Sequence, residues 1–223
     1  MAYQLALVDF DGTLAESMPY WLELPFVTLQ QEGIPEPEGF RDYIRSLPLW
    51  EVGAQMEKDY PFLLEKGPVT EQWYRRMEDN YRYHVPLRAG AVEFLRLLRE
   101  RGLKIYLLSA TRKRTLAIAM ERFHLYDLLD GVYSEEEVGS KRSEEPYAHF
   151  ARETGIPLSD MFLVEDSWKN LEAAAALGLG TVAVQDPVMA KWEAQLRQSD
   201  VYLADFHDLT PVETFLRRGK DRD

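Results

Sequence analysis

There is no cysteine among the 223 residues of the chain. Disulfides, zinc–thiolate centres, iron–sulfur clusters and cysteine nucleophiles are therefore excluded. No apolar run approaches the roughly 18–20 residues that a membrane span needs. The first apolar run stops at Asp9, and Met1-Ala2-Tyr3-Gln4 carries no basic residue, so no signal peptide is expected. Positive charge is scarce. The 26 lysines and arginines face 38 aspartates and glutamates, a formal net charge of −12. That balance argues against a general binder of nucleic acid or anionic membranes, which needs clustered positive charge. A small anionic substrate stays open, because a local lysine or a bound metal reverses the field within one cleft. Histidines 84, 124, 149 and 207 are scattered without metal-ligand spacing. No Gly-x-Ser-x-Gly elbow and no phosphate loop ending in Gly-Lys-Ser/Thr occurs. The expectation is a cytoplasmic monomer with neither nucleic-acid nor membrane partners.

What is present reads as an ordinary folded protein. Hydrophobic residues at 46% and charged residues at 29% rule out a disordered chain. The length allows one or two domains. Leu5-Ala6-Leu7-Val8 is a short apolar run that ends in Asp9-Phe10-Asp11-Gly12-Thr13, which favours a strand entering a tight loop. From Gly90 onward helices and strands alternate. Strands are expected at 104–109, 132–134, 161–164, 181–184 and 201–203, with helices at 90–102, 112–125, 146–153, 170–177 and 188–198 between and around them. Such alternation implies an α/β fold: a Rossmann-like parallel sheet with helices on both faces. Ligands of such sheets sit at the carboxyl ends of the strands, where strand order reverses. The polar residues Asp9 and Asp11, Ser109 and Thr111, and Glu165 and Asp166 fall at those ends.

Residues 15–84 break the alternation. They carry helical signals at 20–31, 40–46 and 70–83, seven of the 12 prolines, and 12 of the 27 aromatics, with no clear strand. The segment is too long for a loop and reads as a small helical domain inserted after the first strand. Its aromatics fit the core of a small domain better than substrate stacking. The expected division is residues 1–14 with 85–223 as the α/β core, and 15–84 as the insert. The basic and acidic tail from Arg217 is expected to fray.

Asp9 and Asp11, two apart at a strand end, can reach one pocket. Two carboxylates so close repel, and a divalent cation or a retained proton relieves the repulsion. One then suits a nucleophile and the other a general acid and base. Alone, Asp-x-Asp-Gly also reads as a turn. A calcium loop is excluded, because the twelfth position from Asp9 is Tyr20 rather than glutamate. Glu165-Asp166 ends a second apolar strand; Asp166 or Ser167 also fits a helix N-cap. A carboxylate there beside Asp9 makes a hard oxygen site that suits magnesium. Ser109 reads either as an N-cap or as a phosphate-oxygen donor. Lys141, in Gly139-Ser140-Lys141-Arg142-Ser143, reads on its own as a solvated loop residue.

In this order and spacing the four elements resemble the haloacid dehalogenase-like superfamily of hydrolases, most of them magnesium-dependent phosphatases. Val8-Asp9-Phe10-Asp11-Gly12-Thr13-Leu14 is similar to the first motif, and Leu107-Leu108-Ser109 to the second. Lys141, with Pro146-Tyr147 five residues on, resembles the lysine motif, and Val164-Glu165-Asp166-Ser167 the fourth. The insert resembles the family's helical cap by position and character, and closure of such a cap excludes water and selects substrate. The resemblance implies that Asp9 attacks phosphorus and becomes an aspartyl phosphate. Asp11 then serves as acid and base, and its backbone carbonyl meets the metal. Ser109 and Lys141 hold the transferring phosphoryl group. Mg2+ is bound by Asp9, Asp11 and Asp166 with Glu165 assisting. The sequence departs from the pattern at Arg142 and Glu144, where the lysine motif usually has prolines, and at Asn170, where many members have another carboxylate.

The expected function is hydrolysis of a small phosphorylated metabolite. Alternatives are a phosphosugar mutase akin to β-phosphoglucomutase, to which Glu-Asp-Ser is similar, and a nucleotidase, to which the Asp-Ser-x-x-Asn spacing is similar. Dehalogenation is disfavoured, because members with that activity generally lack the second aspartate. A non-enzymatic scaffold is disfavoured by the intact Asp9, Asp11, Lys141 and Asp166. Arg41, Arg45, Trp50, Lys58 and Arg75 of the insert are candidates for facing the substrate. His84 is expected to be structural.

Overall fold

Six short strands supply the frame: β1 (Leu5–Val8), β2 (Lys104–Ser109), β3 (Gly131–Ser134), β4 (Met161–Glu165), β5 (Gly180–Val184) and β6 (Val201–Leu203). They form one sheet in the order β3-β2-β1-β4-β5-β6, every pair parallel. Parallel strands need crossovers, and helices supply them. In chain order the helices are α1 (Met18–Gln31), α2 (Phe40–Ser46), α3 (Leu49–Asp59), α4 (Val69–Tyr83), α5 (Ala91–Glu100) and α6 (Lys113–Arg122), followed by α7 (Glu135–Val138), α8 (Glu145–Thr154), α9 (Trp168–Ala176), α10 (Glu193–Leu196) and α11 (Thr210–Arg218). This is a computed structural model, and it describes residues 3–47 and 49–218. Met1, Ala2, Pro48, residues 219–223 and the side chains of Arg45, Ser46 and Arg218 lie outside the described residues, and with them most of the expected frayed tail.

The chain divides into two compact units, residues 1–16 with 86–223 and residues 17–85. The first is the α/β unit. All four residues of β1 are fully buried, as a central parallel strand covered on both faces must be. Alternation sorts its side chains. Leu5 and Leu7 join Leu108, Leu163, Tyr147 and Phe150 in one core cluster. Ala6 and Val8 are buried outside that cluster, and Phe162, of the same alternate phase on β4, packs edge-on to Tyr3 and Phe215. The helical unit, α1 to α4 with a 3-10 turn at Pro61–Lys66, has its own core of Trp21, Leu24, Met56, Leu63, Trp73, Met77 and Tyr81. Its buried aromatics find partners for their polar atoms. Trp21 Nε1 donates to Tyr81 OH at 3.1 Å, and Trp73 Nε1 to Thr28 Oγ1 at 2.9 Å. Among the described residues no helix is long and apolar enough to cross a membrane.

Several elements differ from expectation for physical reasons. The helix expected to run to Leu125 ends at Arg122, because His124 adopts a left-handed conformation (φ 55°) and starts a 3-10 turn over Leu125–Leu128. The single helix expected over 188–198 is instead a 3-10 turn, Pro187–Trp192, followed by α10. Asp186 caps that turn, accepting from the Val188 N–H at 2.8 Å. Helix α3 was not anticipated. It contains Gly53, a poor helix residue, and tertiary packing explains the glycine, since a Cβ there would meet Thr70 Cγ2 at 2.8 Å.

Gly90 precedes α5 with φ +81°, and an added Cβ would meet the Phe206 carbonyl oxygen at 2.7 Å. Gly102 has a similar φ of +79° but open space around it. Left-handed backbone strain alone costs an L-residue about 1–2 kcal/mol. Gly102→Ala should therefore lose about that much stability, and Gly90→Ala clearly more, since it adds the clash. Urea denaturation of the two variants checks the ranking; equal losses would contradict it.

Candidate active site

The site is built where β1 and β4 end side by side. Register pairs Val8 with Val164, and the Asp9 N–H continues the ladder to the Val164 carbonyl at 2.9 Å. Asp9 thereby leaves β1 level with Glu165, the last residue of β4, and Asp166 follows before α9 begins. The chain then turns sharply: Leu14 and Ala15 both donate their N–H to the Phe10 carbonyl, at 3.0 and 2.9 Å, and Gly12 takes φ +81°. Asp9, Glu165 and Asp166 are all buried and offer carboxylate oxygens within 4.8 Å of one another.

Lys141 enters this acidic group from the far side of the sequence. Its Nζ donates to Asp9 Oδ1 at 2.6 Å and lies 3.3 Å from Glu165 Oε2, and its side chain is only 2% exposed. The loop that carries it is fixed at both backbone polar groups. Glu135 Oε1 accepts from the Lys141 N–H at 2.9 Å, and Tyr147 OH donates to the Lys141 carbonyl at 2.7 Å. The lone lysine that reads as solvated from its neighbours is thus a buried counter-charge.

Asp11 and Ser109 meet beside this cluster. Asp11 Oδ2 accepts from Thr111 Oγ1 at 2.8 Å and from Ser109 Oγ at 3.3 Å, and the Thr111 N–H donates to Ser109 Oγ at 3.0 Å. The Asp11 side chain is therefore engaged with the end of β2, and its charge also acts on Asp9. Thr13 Oγ1 donates to Asp9 Oδ2 at 3.3 Å. Asn170 Nδ2 donates to Glu165 Oε1 at 2.6 Å, and Arg142 Nε donates to Asn170 Oδ1 at 3.2 Å. Two of the three departures from the family pattern, Arg142 and Asn170, are thus linked to each other.

The electrostatics follow from crowding. Burial, then Glu165, push the Asp9 carboxyl well above the usual carboxylate range, with Lys141 opposing them. Burial raises Glu165 to about 7, again against the pull of Lys141. Burial and then Asp9 hold Asp166 well above its ordinary value. Burial alone would lower Lys141, but the Asp9 and Glu165 carboxylates hold it above the ordinary lysine range. The three carboxylates with one lysine carry a net −2 when ionised. Their hard oxygen donors and that excess fit a divalent cation such as Mg2+.

His84, Arg41 and Arg75 have partners within the helical unit. His84 caps α4, its N–H on the Asn80 carbonyl, and its own carbonyl accepts from Tyr20 OH at 3.1 Å. Arg41 pairs with Glu36 at 3.0 Å, Arg75 Nη2 donates to the Lys66 carbonyl at 3.2 Å, and Trp50 is exposed. Sequence reasoning missed the roles of Thr13, Thr111 and Asn170, and missed Arg88 and Asp186 outright. Asp186 was detectable, since it is an acid two residues past the end of β5. Arg88 carried no signal, because its acceptors are backbone carbonyls distant in sequence.

The fold is a parallel α/β sheet that gathers buried carboxylates at its strand ends. A haloacid dehalogenase-like hydrolase family model matches residues 3–178, and the chain belongs to that family. Among curated relatives, it is 25% identical over 183 residues to a phosphoglycolate phosphatase of Chromobacterium violaceum, covering 79% of this chain and 82% of that one. It is 26% identical over 215 residues to hexitol phosphatase B of Escherichia coli, covering 92% and 93%. Its fold is similar to a putative β-phosphoglucomutase from Thermotoga maritima, with TM-score 0.69, 19% identity, and coverage of 99% and 100%.

Removing the counter-charge is the direct test of the electrostatic balance. Lys141→Met should destabilise the metal-free protein by about 3–5 kcal/mol, since it leaves buried carboxylates unpaired. Adding Asp9→Asn should recover part of the loss. Urea unfolding measures both, and a Lys141→Met loss below about 1 kcal/mol would contradict the assignment.

Proposed function

We propose that the chain is a magnesium-dependent phosphatase that hydrolyses a small phosphorylated metabolite through an aspartyl phosphate on Asp9. The observation that carries this reading is the buried group of Asp9, Glu165 and Asp166 with Lys141 at 2.6 Å from Asp9. Family membership and the names of the two curated relatives support it. In this reading Asp9, Asp166 and the Asp11 carbonyl hold Mg2+, with Glu165 assisting. When bound, the ion supplies positive charge against the nucleophile and the phosphoryl oxygens.

The chain's own residues perform the rest. Lys141 favours the ionised form of Asp9 against burial and Glu165, and aims one of its oxygens. Asp9 attacks phosphorus in line, and the bond from phosphorus to the ester oxygen breaks. Asp11 gives its proton to that leaving oxygen. It then takes a proton from water as the water attacks the phosphoryl group on Asp9, which regenerates the free carboxylate and releases phosphate. The side-chain bonds to Thr111 and Ser109 hold Asp11 in place for both transfers. Ser109 and Lys141 fix the transferring group, and most of the rate comes from this positioning and charge complementarity. The helical unit of residues 17–85 serves in this reading as the cap.

A mutase reading is favoured by one observation, the Glu165-Asp166-Ser167 sequence, and differs only in where the phosphoryl group goes. Isomerised sugar phosphate formed without phosphate release would establish it in place of hydrolysis.

Asp9→Asn should abolish Mg2+-dependent release of p-nitrophenol from p-nitrophenyl phosphate while circular dichroism stays native. Retained turnover would refute Asp9 as nucleophile. Independently of activity, Mg2+ at about 100 times its Kd should stabilise the protein by about 2.7 kcal/mol. Asp166→Ala should remove most of that stabilisation in a thermal melt; an unchanged shift would take Asp166 out of the site.

A further inference from the structure

The loop that follows the nucleophile is held from outside by one arginine. The Arg88 N–H donates to the Leu14 carbonyl at 2.8 Å. Its Nε donates to the Thr13 carbonyl at 3.1 Å, and its Nη2 to the Gly12 carbonyl at 2.7 Å. Three successive carbonyls of the turn are thus taken by one residue. The remaining nitrogen, Nη1, donates to the Gln185 carbonyl at 2.9 Å, and Nη2 also pairs with Asp186 Oδ2 at 3.1 Å. The side chain of Arg88 is 10% exposed and that of Asp186 2%. Asp186 is itself fixed, its other oxygen accepting from the Val188 N–H. Arg88 therefore ties the turn after β1 to the chain leaving β5, across the carboxyl ends of the sheet.

The residues so gripped adjoin or include residues of the candidate site. Gly12 follows Asp11, whose carboxyl meets Thr111 and Ser109. Thr13 gives its carbonyl to Arg88 and its hydroxyl to Asp9 Oδ2. Ala15 bridges Asp11 on one side and Leu87 on the other, so the arginine arrives on a segment already paired with the turn. Carbonyls in such a turn can rotate to water unless a donor fixes them. A guanidinium suits this work, since its planar fork presents five donors at once, which an ammonium cannot match.

We propose that Arg88 is a positioning residue for the reaction: it fixes the Gly12–Leu14 turn so that Asp11 stays on Thr111 and Ser109 and Thr13 stays on Asp9. It touches no reacting atom. The proposal rests on the phosphatase reading for its catalytic consequence, and on hydrogen bonding alone for its hold on the turn.

The test compares full-length wild type with two variants. Arg88→Met alone orphans the buried Asp186 carboxylate and can unfold the protein for that reason. Arg88→Met with Asp186→Asn removes the orphaned charge and retains an oxygen for the Val188 cap. In the double variant kcat on p-nitrophenyl phosphate with Mg2+ should fall about tenfold or more, while KM stays within about twofold. Hydrogen exchange at the Gly12, Leu14 and Ala15 amides should quicken about tenfold or more, while the amides of β4 keep wild-type rates. A merely structural role would speed exchange across the sheet instead. A kcat within about twofold of wild type overturns the proposal, as does unchanged exchange at those three amides. A wild-type protein inert towards the ester overturns the phosphatase reading instead, and the exchange arm then still decides whether Arg88 holds the turn.

Discussion

Three carboxylates and one ammonium share a space from which water is largely excluded, and the rest of the α/β unit is arranged around that imbalance. Asp9, Glu165 and Asp166 sit within 4.8 Å of one another. Lys141 cancels one charge of the three. Each remaining interaction in the cluster softens what is left: Thr13 donates to Asp9, Asn170 donates to Glu165, and Arg142 orients Asn170. In a low-dielectric setting such excess charge either takes up protons or attracts a cation. A hydrolase of phosphate esters gains from the second outcome, because the ion that relieves the protein also neutralises the substrate.

The imbalance is sustainable because the frame around it is stiff. β1 is buried along its whole length, and its neighbours β2 and β4 are paired to it residue by residue. Asp9 and Glu165 cannot drift apart without breaking that ladder. The turn after β1 is secured at the Phe10 carbonyl from within and by Arg88 from without. The lysine loop is secured by Glu135 and Tyr147. Close-packed surroundings transmit strain instead of absorbing it, so small groups far from the reacting atoms become part of the geometry.

Much of the frame was readable from residue patterns. Apolar runs of four to six residues, each ending in an acid or a hydroxyl, marked β1, β2 and β4 and placed their polar ends on one edge. The alternation after Gly90 marked the parallel sheet. Errors fell where local and tertiary signals conflict. Gly53 weakens the intrinsic case for α3, yet contact with Thr70 and Trp73 requires it. His124 takes a positive φ with no glycine to announce it. Pro187 and the Asp186 cap set a 3-10 turn where periodicity alone suggests a continuous helix. The aromatic-rich insert holds Trp21, Trp73 and Tyr81 inside, whereas Trp50, Phe62 and Tyr83 are exposed.

The kinds of group in the site, and the strand ends that carry them, were fixed by residue identity and short-range pattern, because side-chain chemistry and β-alternation are local properties. Which groups touch was settled only by folding. Lys141 reaches Asp9 across 132 positions. The Asp11 carboxyl meets Thr111 and Ser109, 100 and 98 positions away. Arg88 finds its carbonyls 74 to 76 residues away (88 minus 14, 13 and 12). Such meetings depend on strand register, crossover handedness and the path of turns, each of which sums contributions from the whole chain. No window of neighbouring residues contains that sum.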